Sequence, residues 1–244
     1  AYSGAMARRN SEGRRLPRGL AALWRLWLIW RFRLFQQHRH RRLTLERVGD
    51  MPILVLPEVF NPTLFHTSVA LVEQLDRVPV GPGMAVLDMG TGSGIGAIAA
   101  ARRGARVVAV DISPEAVRCA RINALLNRVE DSVEVRRGDL FEPVRGERFD
   151  LVLFNPPFYA GTPRAPWEYA WRSEDVLDRF ARDLPTVLSP SGRALLIVSS
   201  TTVGVGEALA RRPLQSRLLW KRDMPNERLM VLQWTAKSAC EVEV

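Results

Sequence analysis

The sequence of 244 residues predicts an α/β fold with a seven-stranded, mostly parallel sheet and helices on both of its faces. From Met84 onward, short apolar runs alternate with segments of helical composition, as expected for parallel strands joined by crossover helices. Only residues 223–227 separate the last two apolar runs, which favours an antiparallel hairpin there. The expected architecture is therefore a Rossmann-like, doubly wound sheet with an antiparallel C-terminal hairpin.

The predicted strands are apolar runs, several of which end in an acidic residue, a glycine or an asparagine. A short strand at residues 53–56 precedes the alternating part of the chain. The seven strands of the sheet are expected at residues 85–90, 105–111, 132–139, 149–155, 193–200, 215–221 and 228–235.

Helices are predicted in the segments between these strands, as in the Ala-rich stretch 95–103. The helix at 114–127 has Ser113 as its expected N-cap and Pro114 at its first position. The sequence Pro-Ser-Gly at 190–192 predicts a turn. Further helices are expected near residues 67–75, 175–188 and 205–212.

The net charge of +9 comes entirely from the first 50 residues, which hold twelve arginines and three acidic residues. The other 194 residues contain equal numbers of basic and acidic side chains. We therefore predict a basic, Arg/Trp-rich arm at residues 1–50, with a helix at 19–42, and a domain at residues 51–244. Residues 1–5 resemble a cloning remnant ahead of Met6.

Three roles are open for this arm. Its guanidinium groups and aromatic side chains suit RNA phosphates and bases, and they also suit an anionic membrane surface. In the third role, its Trp- and Leu-rich side packs on the domain while the arginines face solvent. No run of about 20 uncharged apolar residues is present, which argues against a membrane-spanning helix.

Cysteine and histidine usage bounds the chemistry further. Cys119 and Cys240 cannot make a disulfide framework, and the three histidines have no metal-ligand spacing. We therefore expect no metal site and a reducing, cytoplasmic environment.

A glycine-rich turn follows the first strand of the predicted sheet. Gly90, Gly92 and Gly94 alternate with Thr91 and Ser93 before the next helix. Such glycines let the backbone turn tightly and approach a ligand closely. At the end of the next strand, an acidic residue, Asp111, is placed to accept hydrogen bonds from both hydroxyls of a ribose.

Asp88 distinguishes this turn from a dinucleotide site. A carboxylate directly before the glycines would repel the pyrophosphate that a dinucleotide site holds at its helix N-terminus. It would favour a cationic or amine-bearing ligand instead. The turn therefore points to S-adenosylmethionine (SAM) rather than NAD, with a cofactor-free domain of the same fold as the alternative.

A second motif, Asn155-Pro156-Pro157-Phe158, ends the fourth strand of the sheet. Two consecutive prolines lack backbone donors and fix the chain, so the Pro156 carbonyl and the Asn155 side-chain oxygen can act as paired acceptors. Paired acceptors suit a planar –NH₂ group, and Phe158 offers an apolar face to the amide or base that carries it. Acceptors aimed at that nitrogen stabilise the charge that develops during methyl transfer.

The alternative for this motif is a Pro-Pro turn with Asn155 as a cap and Phe158 in the core. The stretch 159–171 that follows is rich in Pro and Gly and is a candidate lid. Trp167 and Trp171 within it either line the acceptor pocket or pack the loop.

With these motifs the sequence resembles the class I SAM-dependent methyltransferases. VLDMGTGSG (86–94), AVDIS (109–113) and GDLFE (138–142) are similar to their first motif, their ribose-binding acid and their adenine-contacting turn. The resemblance implies that Asp111 holds the ribose, that Ile112 and Leu140 flank the adenine, and that Asp139 accepts from its amine. The full set of implied cofactor residues is Thr67, Asp88, Gly90, Thr91, Gly92, Gly94, Asp111, Ile112, Asp139, Leu140 and Asn155.

Asn-Pro-Pro-Phe is similar to the motif of amino-group methyltransferases, and residues 53–235 resemble the HemK-like group, which methylates glutamine in translation release factors. The segment 59–75 is similar to the stretch before the first motif of that group, which implies that Thr67 and Ser68 lie near the cofactor. The resemblance also implies an N-methyltransferase that releases S-adenosylhomocysteine and presents its acceptor with Asn155, Pro156 and Phe158.

The leading acceptor is a glutamine side chain of a protein, such as a translation factor. Phe158 stands where release-factor enzymes usually have Tyr, and Phe is common there among ribosomal RNA guanine methyltransferases. An exocyclic amine of adenine or guanine in RNA or DNA is therefore the alternative acceptor. A partner domain that binds SAM without catalysing transfer is a lesser alternative.

Overall fold

The computed structural model describes residues 42–65, 67–158, 161, 173, 175–210, 212–225 and 227–237. Nearly all of the predicted helix 19–42 and of the candidate lid 159–171, including Trp167 and Trp171, lies outside the described residues, as do His66 and Cys240. No helix in the described part of the chain has the length and apolar character needed to cross a bilayer.

Two short strands, β1 (Thr44–Val48) and β2 (Met51–Val55), form an antiparallel hairpin ahead of the main sheet. The hairpin crosses residue 50, where we place the boundary between arm and domain, and that boundary stays a prediction. Strand β1 was not expected, because its sequence TLERV carries two charges and lies in the basic segment.

The main sheet has the seven strands that the sequence predicts. Its order is β5-β4-β3-β6-β7-β9-β8, and the first five strands in that order are parallel. Strand β9 runs antiparallel to both β7 and β8. The doubly wound sheet with an antiparallel C-terminal hairpin is thereby confirmed. Its strands are β3 (Ala85–Met89), β4 (Arg106–Asp111), β5 (Val133–Arg137), β6 (Phe149–Phe154), β7 (Leu188–Ser199), β8 (Leu214–Asp223) and β9 (Arg228–Ala236).

Helices cover both faces of this sheet, because both faces of the parallel strands are apolar. The side chains of β3 alternate between two hydrophobic cores. Val86 belongs to the core that includes residues of α2, α3, α4 and the hairpin. Leu87 and Met89 belong to the core that includes residues of α5 and α6. The helices are α1 (Pro62–Phe65), α2 (Thr67–Glu73), α3 (Ile95–Ala101), α4 (Pro114–Leu126), α5 (Val176–Val187) and α6 (Val205–Ala210).

Most predicted boundaries agree with the structure to within two residues, and the predicted N-cap is present, since the Ser113 hydroxyl accepts from the Ala116 N–H at 3.2 Å. The turn expected at 190–192 is wrong, because these residues belong to β7. They lie in an irregular stretch between two register pairs, Phe149 with Leu188 and Leu151 with Arg193. Pro190 and Gly192 therefore form a bulge inside the strand rather than a break before it.

Candidate active site

Strand pairing brings the two motifs to the same edge of the sheet. Met89 of β3 pairs with Phe154 of β6, so Gly90 and Asn155 are the next residues on neighbouring parallel strands. From β3 the chain continues to β4 on one side of this point, and from β6 it continues to β7 on the other side. Doubly wound folds bind their ligands in the crevice at such a switch point.

The remaining predicted cofactor residues continue along this edge. Asp111 ends β4 and pairs with Arg137, the last residue of β5. The turn that carries Asp139 therefore begins beside Asp111, and the Gly138 N–H donates to the Asp111 carbonyl at 3.0 Å. The edge thus presents the glycine turn, Asp111 and the Asp139 turn in sheet order.

The glycine turn has the conformation that its sequence predicts. All three glycines have positive φ angles, +63° at Gly90, +55° at Gly92 and +83° at Gly94. The Thr91 N–H donates to the Val110 carbonyl at 3.0 Å and ties the turn to β4. A Cβ atom at position 94 would lie 3.1 Å from the Ala120 Cα, so this glycine also lets α3 approach α4.

Asp88 is buried inside this turn. Its Oδ2 accepts from the Thr91 hydroxyl at 2.6 Å and from the Ala97 N–H in α3 at 2.9 Å. Burial raises the pKa of Asp88 to about 7, although these hydrogen bonds favour the charged form. The carboxylate therefore holds the glycine turn to the first turn of α3, and its contact with a cofactor stays a prediction.

Asp111 is half-buried at the open edge. Its two oxygens accept from the Gly92 N–H at 2.9 Å and the Ser113 N–H at 3.0 Å, and burial raises its pKa. These bonds fix the carboxylate next to the glycine turn. Each oxygen keeps further lone pairs, so the site fits a ligand with paired hydroxyls.

The side of the edge expected to hold adenine combines apolar and acidic groups. Ile112 is 42% exposed, unusually open for a large apolar side chain, while Leu140 is buried with a φ of +47°. Asp139 forms an ion pair with Arg179 of α5. An exposed isoleucine and a carboxylate on the neighbouring turn fit a flat, amine-bearing ring.

The Asn155 side chain is held from a different element. Its Nδ2 donates to the Thr67 hydroxyl at 3.2 Å and the Ser68 hydroxyl at 3.0 Å, both in the first turn of α2. Within the described residues, no hydrogen bond engages Asn155 Oδ1. Pro156 is buried and Phe158 is half-buried. Thr67, predicted as a cofactor residue, thus contacts the predicted acceptor motif.

Two residues that shape this edge were not predicted. Arg179 lies 40 residues from Asp139, and no sequence pattern marks the pair. Asn123 is fully buried, and its Nδ2 donates to the carbonyls of Leu54 and Ser93 at 2.6 and 2.8 Å. A polar residue facing the buried side of α4 is a signal that could have found Asn123.

The part of the chain that the structure describes contains no cluster of three or more His, Cys, Asp or Glu side chains able to hold a metal ion.

A glycine turn, an acid ending the next strand and a predicted acceptor motif following the strand beside them form the arrangement expected of a class I SAM-dependent methyltransferase. The chain belongs to the methyltransferase small domain family, whose model matches residues 50–222. Its cofactor is S-adenosylmethionine, and the exposed Ile112 and fixed Asp111 carboxylate fit that molecule.

Relatives with different acceptors resemble the chain. A candidate protein N5-glutamine methyltransferase of Methanocaldococcus jannaschii is 34% identical over 188 residues, covering 72% of this chain and 91% of the relative. A tRNA1(Val) (adenine(37)-N6)-methyltransferase of Porphyromonas gingivalis is 32% identical over 154 residues, covering 58% and 60%. The chain spans half or less of the ribosomal protein L11 methyltransferases that it matches.

Among solved structures, the E. cuniculi Mtq2–Trm112 complex, which is responsible for methylation of the translation termination factor eRF1, matches with a TM-score of 0.55. It is 26% identical, and the match covers 74% of this chain and 99% of the other. The fold and the enzyme class are therefore established, and the acceptor is a separate question.

Proposed function

We propose that this enzyme transfers the methyl group of SAM to the side-chain amide nitrogen of a protein glutamine. One observation carries the proposal: Asn155 directly follows β6, at the position beside the glycine turn that follows β3, and its amide nitrogen is held by α2. An amide held in this way turns its oxygen, rather than its nitrogen, to an incoming –NH₂ group.

In this proposal the cofactor lies along the edge from the glycine turn to Asp139. SAM supplies an activated methyl group when bound. Asp111 accepts from the ribose hydroxyls, Ile112 and Leu140 flank the adenine, and the bare backbone at Gly90 and Gly92 admits the methionine part. Asp88 keeps that backbone in place from below.

The acceptor residues act by position and by hydrogen bonding. A glutamine amide nitrogen is a weak nucleophile, because its lone pair is delocalised into the carbonyl. Asn155 Oδ1 and the Pro156 carbonyl accept its two N–H groups, which aligns the nitrogen and stabilises the positive charge that develops on it. As the nitrogen–carbon bond forms, the bond between the methyl carbon and the sulfur breaks, which leaves S-adenosylhomocysteine. The proton that the nitrogen must lose is held at one of these oxygens and then passes to solvent water. Phe158 stacks on the amide plane.

The choice of glutamine is supported by two relatives. The M. jannaschii protein is named as a candidate protein N5-glutamine methyltransferase, and the E. cuniculi complex is responsible for methylation of a termination factor. An exocyclic amine of adenine or guanine is the second candidate, favoured by Phe158 and by the resemblance to the P. gingivalis tRNA methyltransferase. We also propose a cytoplasmic location, based on the cysteine usage. The arm at residues 1–50 binds RNA, binds an anionic membrane surface or packs on the domain itself.

Transfer of tritiated methyl from SAM into a cell lysate tests the acceptor. We expect label that protease releases and ribonuclease does not, and N5-methylglutamine after complete proteolytic digestion. If ribonuclease releases the label, the acceptor is an exocyclic amine of an RNA base and not a glutamine. Tight binding of SAM without any transfer would support the non-catalytic partner domain instead.

Variants at the acceptor edge test the mechanism. We expect Asn155→Ala to lower kcat by about 100-fold or more with little change in SAM affinity, because it removes an acceptor used in the transition state. Ser68→Ala should lower kcat in the same direction by roughly tenfold, since it loosens the Asn155 amide. Thr63→Ala is the matched control, because the hydroxyl of Thr63, in the neighbouring helix α1, donates to the Asn61 side chain and not to Asn155. If the Asn155→Ala variant turns over at the wild-type rate, Asn155 has no role in methyl transfer.

A further inference from the structure

An ion pair joins the turn expected to hold adenine to helix α5. Arg179 Nη2 contacts Asp139 Oδ2, and both side chains are partly exposed. Asp139 Oδ1 has no hydrogen bond within the described residues. A carboxylate with one oxygen committed to a guanidinium and the other open has a defined orientation towards a ligand.

The turn that carries Asp139 is held rigidly on its own side. Gly138 leaves no room for a side chain, since a Cβ there would overlap the Pro143 ring. Leu140 adopts a φ of +47°, a conformation that a residue with a side chain rarely takes, and its side chain is buried. The Glu142 N–H donates back to the Asp139 carbonyl at 3.1 Å. The backbone of Asp139 is therefore fixed, and Arg179 decides the direction of its side chain.

Helix α5 is itself anchored beneath this turn. Phe180, next to Arg179, is fully buried, with its ring centroid 5.1 Å from that of Phe141 and 4.4 Å from that of Phe154. Phe141 belongs to the Asp139 turn, and Phe154 directly precedes Asn155. The position of Arg179 is thus set by the same core that supports both motifs.

We propose that Arg179 is a positioning residue that orients Asp139 so that Oδ1 accepts from the 6-amino group of the cofactor's purine, which makes the site select adenine over a 6-oxopurine. The inference rests on the proposed role of Asp139 in holding adenine. A carboxylate oxygen accepts from the 6-amino group and repels a 6-oxo group, so discrimination depends on where that oxygen points.

Calorimetric binding of S-adenosylhomocysteine and its 6-oxo analogue, S-inosylhomocysteine, to the full chain tests this. The two ligands carry the same charge, so any general electrostatic effect of removing Arg179 cancels in the ratio of their Kd values. We expect the wild-type chain to prefer the adenosyl ligand by roughly tenfold or more, as for one charge-assisted hydrogen bond. Arg179→Gln should lose most of that preference, and its melting temperature should stay close to the wild-type value.

Arg182→Gln is the matched control. Arg182 lies on the same helix and pairs with its neighbour Asp183 at 2.8 Å, so its substitution removes one guanidinium charge and one ion pair from α5 without touching Asp139. Asp139→Asn should abolish the preference, and adding Arg179→Gln to it should change the ratio no further.

The outcomes separate the two levels of the argument. If the wild-type chain binds both ligands equally, Asp139 does not read the purine, and the proposed cofactor role fails together with this inference. If Asp139→Asn abolishes the preference but Arg179→Gln retains it, only the role of Arg179 is overturned. A wild-type preference that falls with Arg179→Gln and not with Arg182→Gln establishes the positioning role.

Discussion

At the scale of residues, protonation of the buried Asp88 carboxyl, which lies inside the glycine turn, makes the stability of the fold depend on pH. Its carboxylate is buried, and both of its short hydrogen bonds end on one oxygen, Oδ2. Burial holds its pKa at about 7, against 3.8 for a free side chain. The folded chain therefore binds this proton more tightly than the unfolded chain does, and the stabilisation that results is present at low pH and lost as pH rises towards 7.

Asp88→Asn should remove this pH dependence, because an amide oxygen can still accept from Thr91 and Ala97 and carries no charge. Between pH 5 and pH 8, we expect the wild-type chain to lose about 2 kcal/mol of unfolding free energy relative to Asp88→Asn. Urea denaturation at both pH values measures the difference. Parallel pH profiles of the two proteins would contradict a raised pKa at Asp88.

At the scale of elements, Asn123 joins three parts of the fold. From α4 its side chain accepts from the Leu54 N–H at 2.7 Å and donates to the carbonyls of Leu54 and Ser93. The hairpin strand β2 and the glycine turn are therefore locked to the same helix. Substitution of Asn123 leaves buried backbone groups without partners.

We expect Asn123→Ala to lower the unfolding free energy by about 2–4 kcal/mol, since several buried polar groups lose hydrogen bonds together. Leu125→Ala is the control on the same helix, because Leu125 is 60% exposed and its loss should cost less than about 0.5 kcal/mol. Urea unfolding monitored by circular dichroism measures both. Equal midpoints for the two variants would show that Asn123 does not lock the hairpin.

Some of these elements could be predicted from the sequence and others could not. Strands β3 to β6 and both motifs follow from local patterns. The strands are apolar or alternating runs, and the Gly-rich and Pro-rich motifs directly follow the ends of β3 and β6, at the edge where a parallel sheet binds its ligands. Strand β1 was missed because its charged side chains match a solvent-exposed arm better than a strand. The Arg179–Asp139 pair depends on how α5 packs across the β5–β6 connection, which no local pattern encodes.

For the molecule as a whole, the structure indicates how much of the predicted arm at residues 1–50 can be removed without damage to the domain. Glu46 of β1 accepts from the buried Asn61 side chain at 3.0 Å, and β1 pairs along its length with β2. A deletion that includes β1 therefore damages the domain, whereas one ending at residue 41 spares the hairpin. Residues 1–41 hold ten arginines and one acidic residue, so the remaining chain has a formal charge near zero.

We expect deletion of residues 1–41 to leave the melting temperature and the S-adenosylhomocysteine affinity at full-chain values, whereas deletion of residues 1–47 lowers both. Thermal denaturation and calorimetry measure these quantities. A large loss of stability on removing residues 1–41 would mean that the arm packs on the domain and is part of its fold. If stability is retained, the binding of both chains to RNA and to anionic vesicles is measured at several salt concentrations. The ligand that the full chain binds and the chain without residues 1–41 does not bind is the partner of the arm. Removing the arginines removes the electrostatic attraction that drives either association.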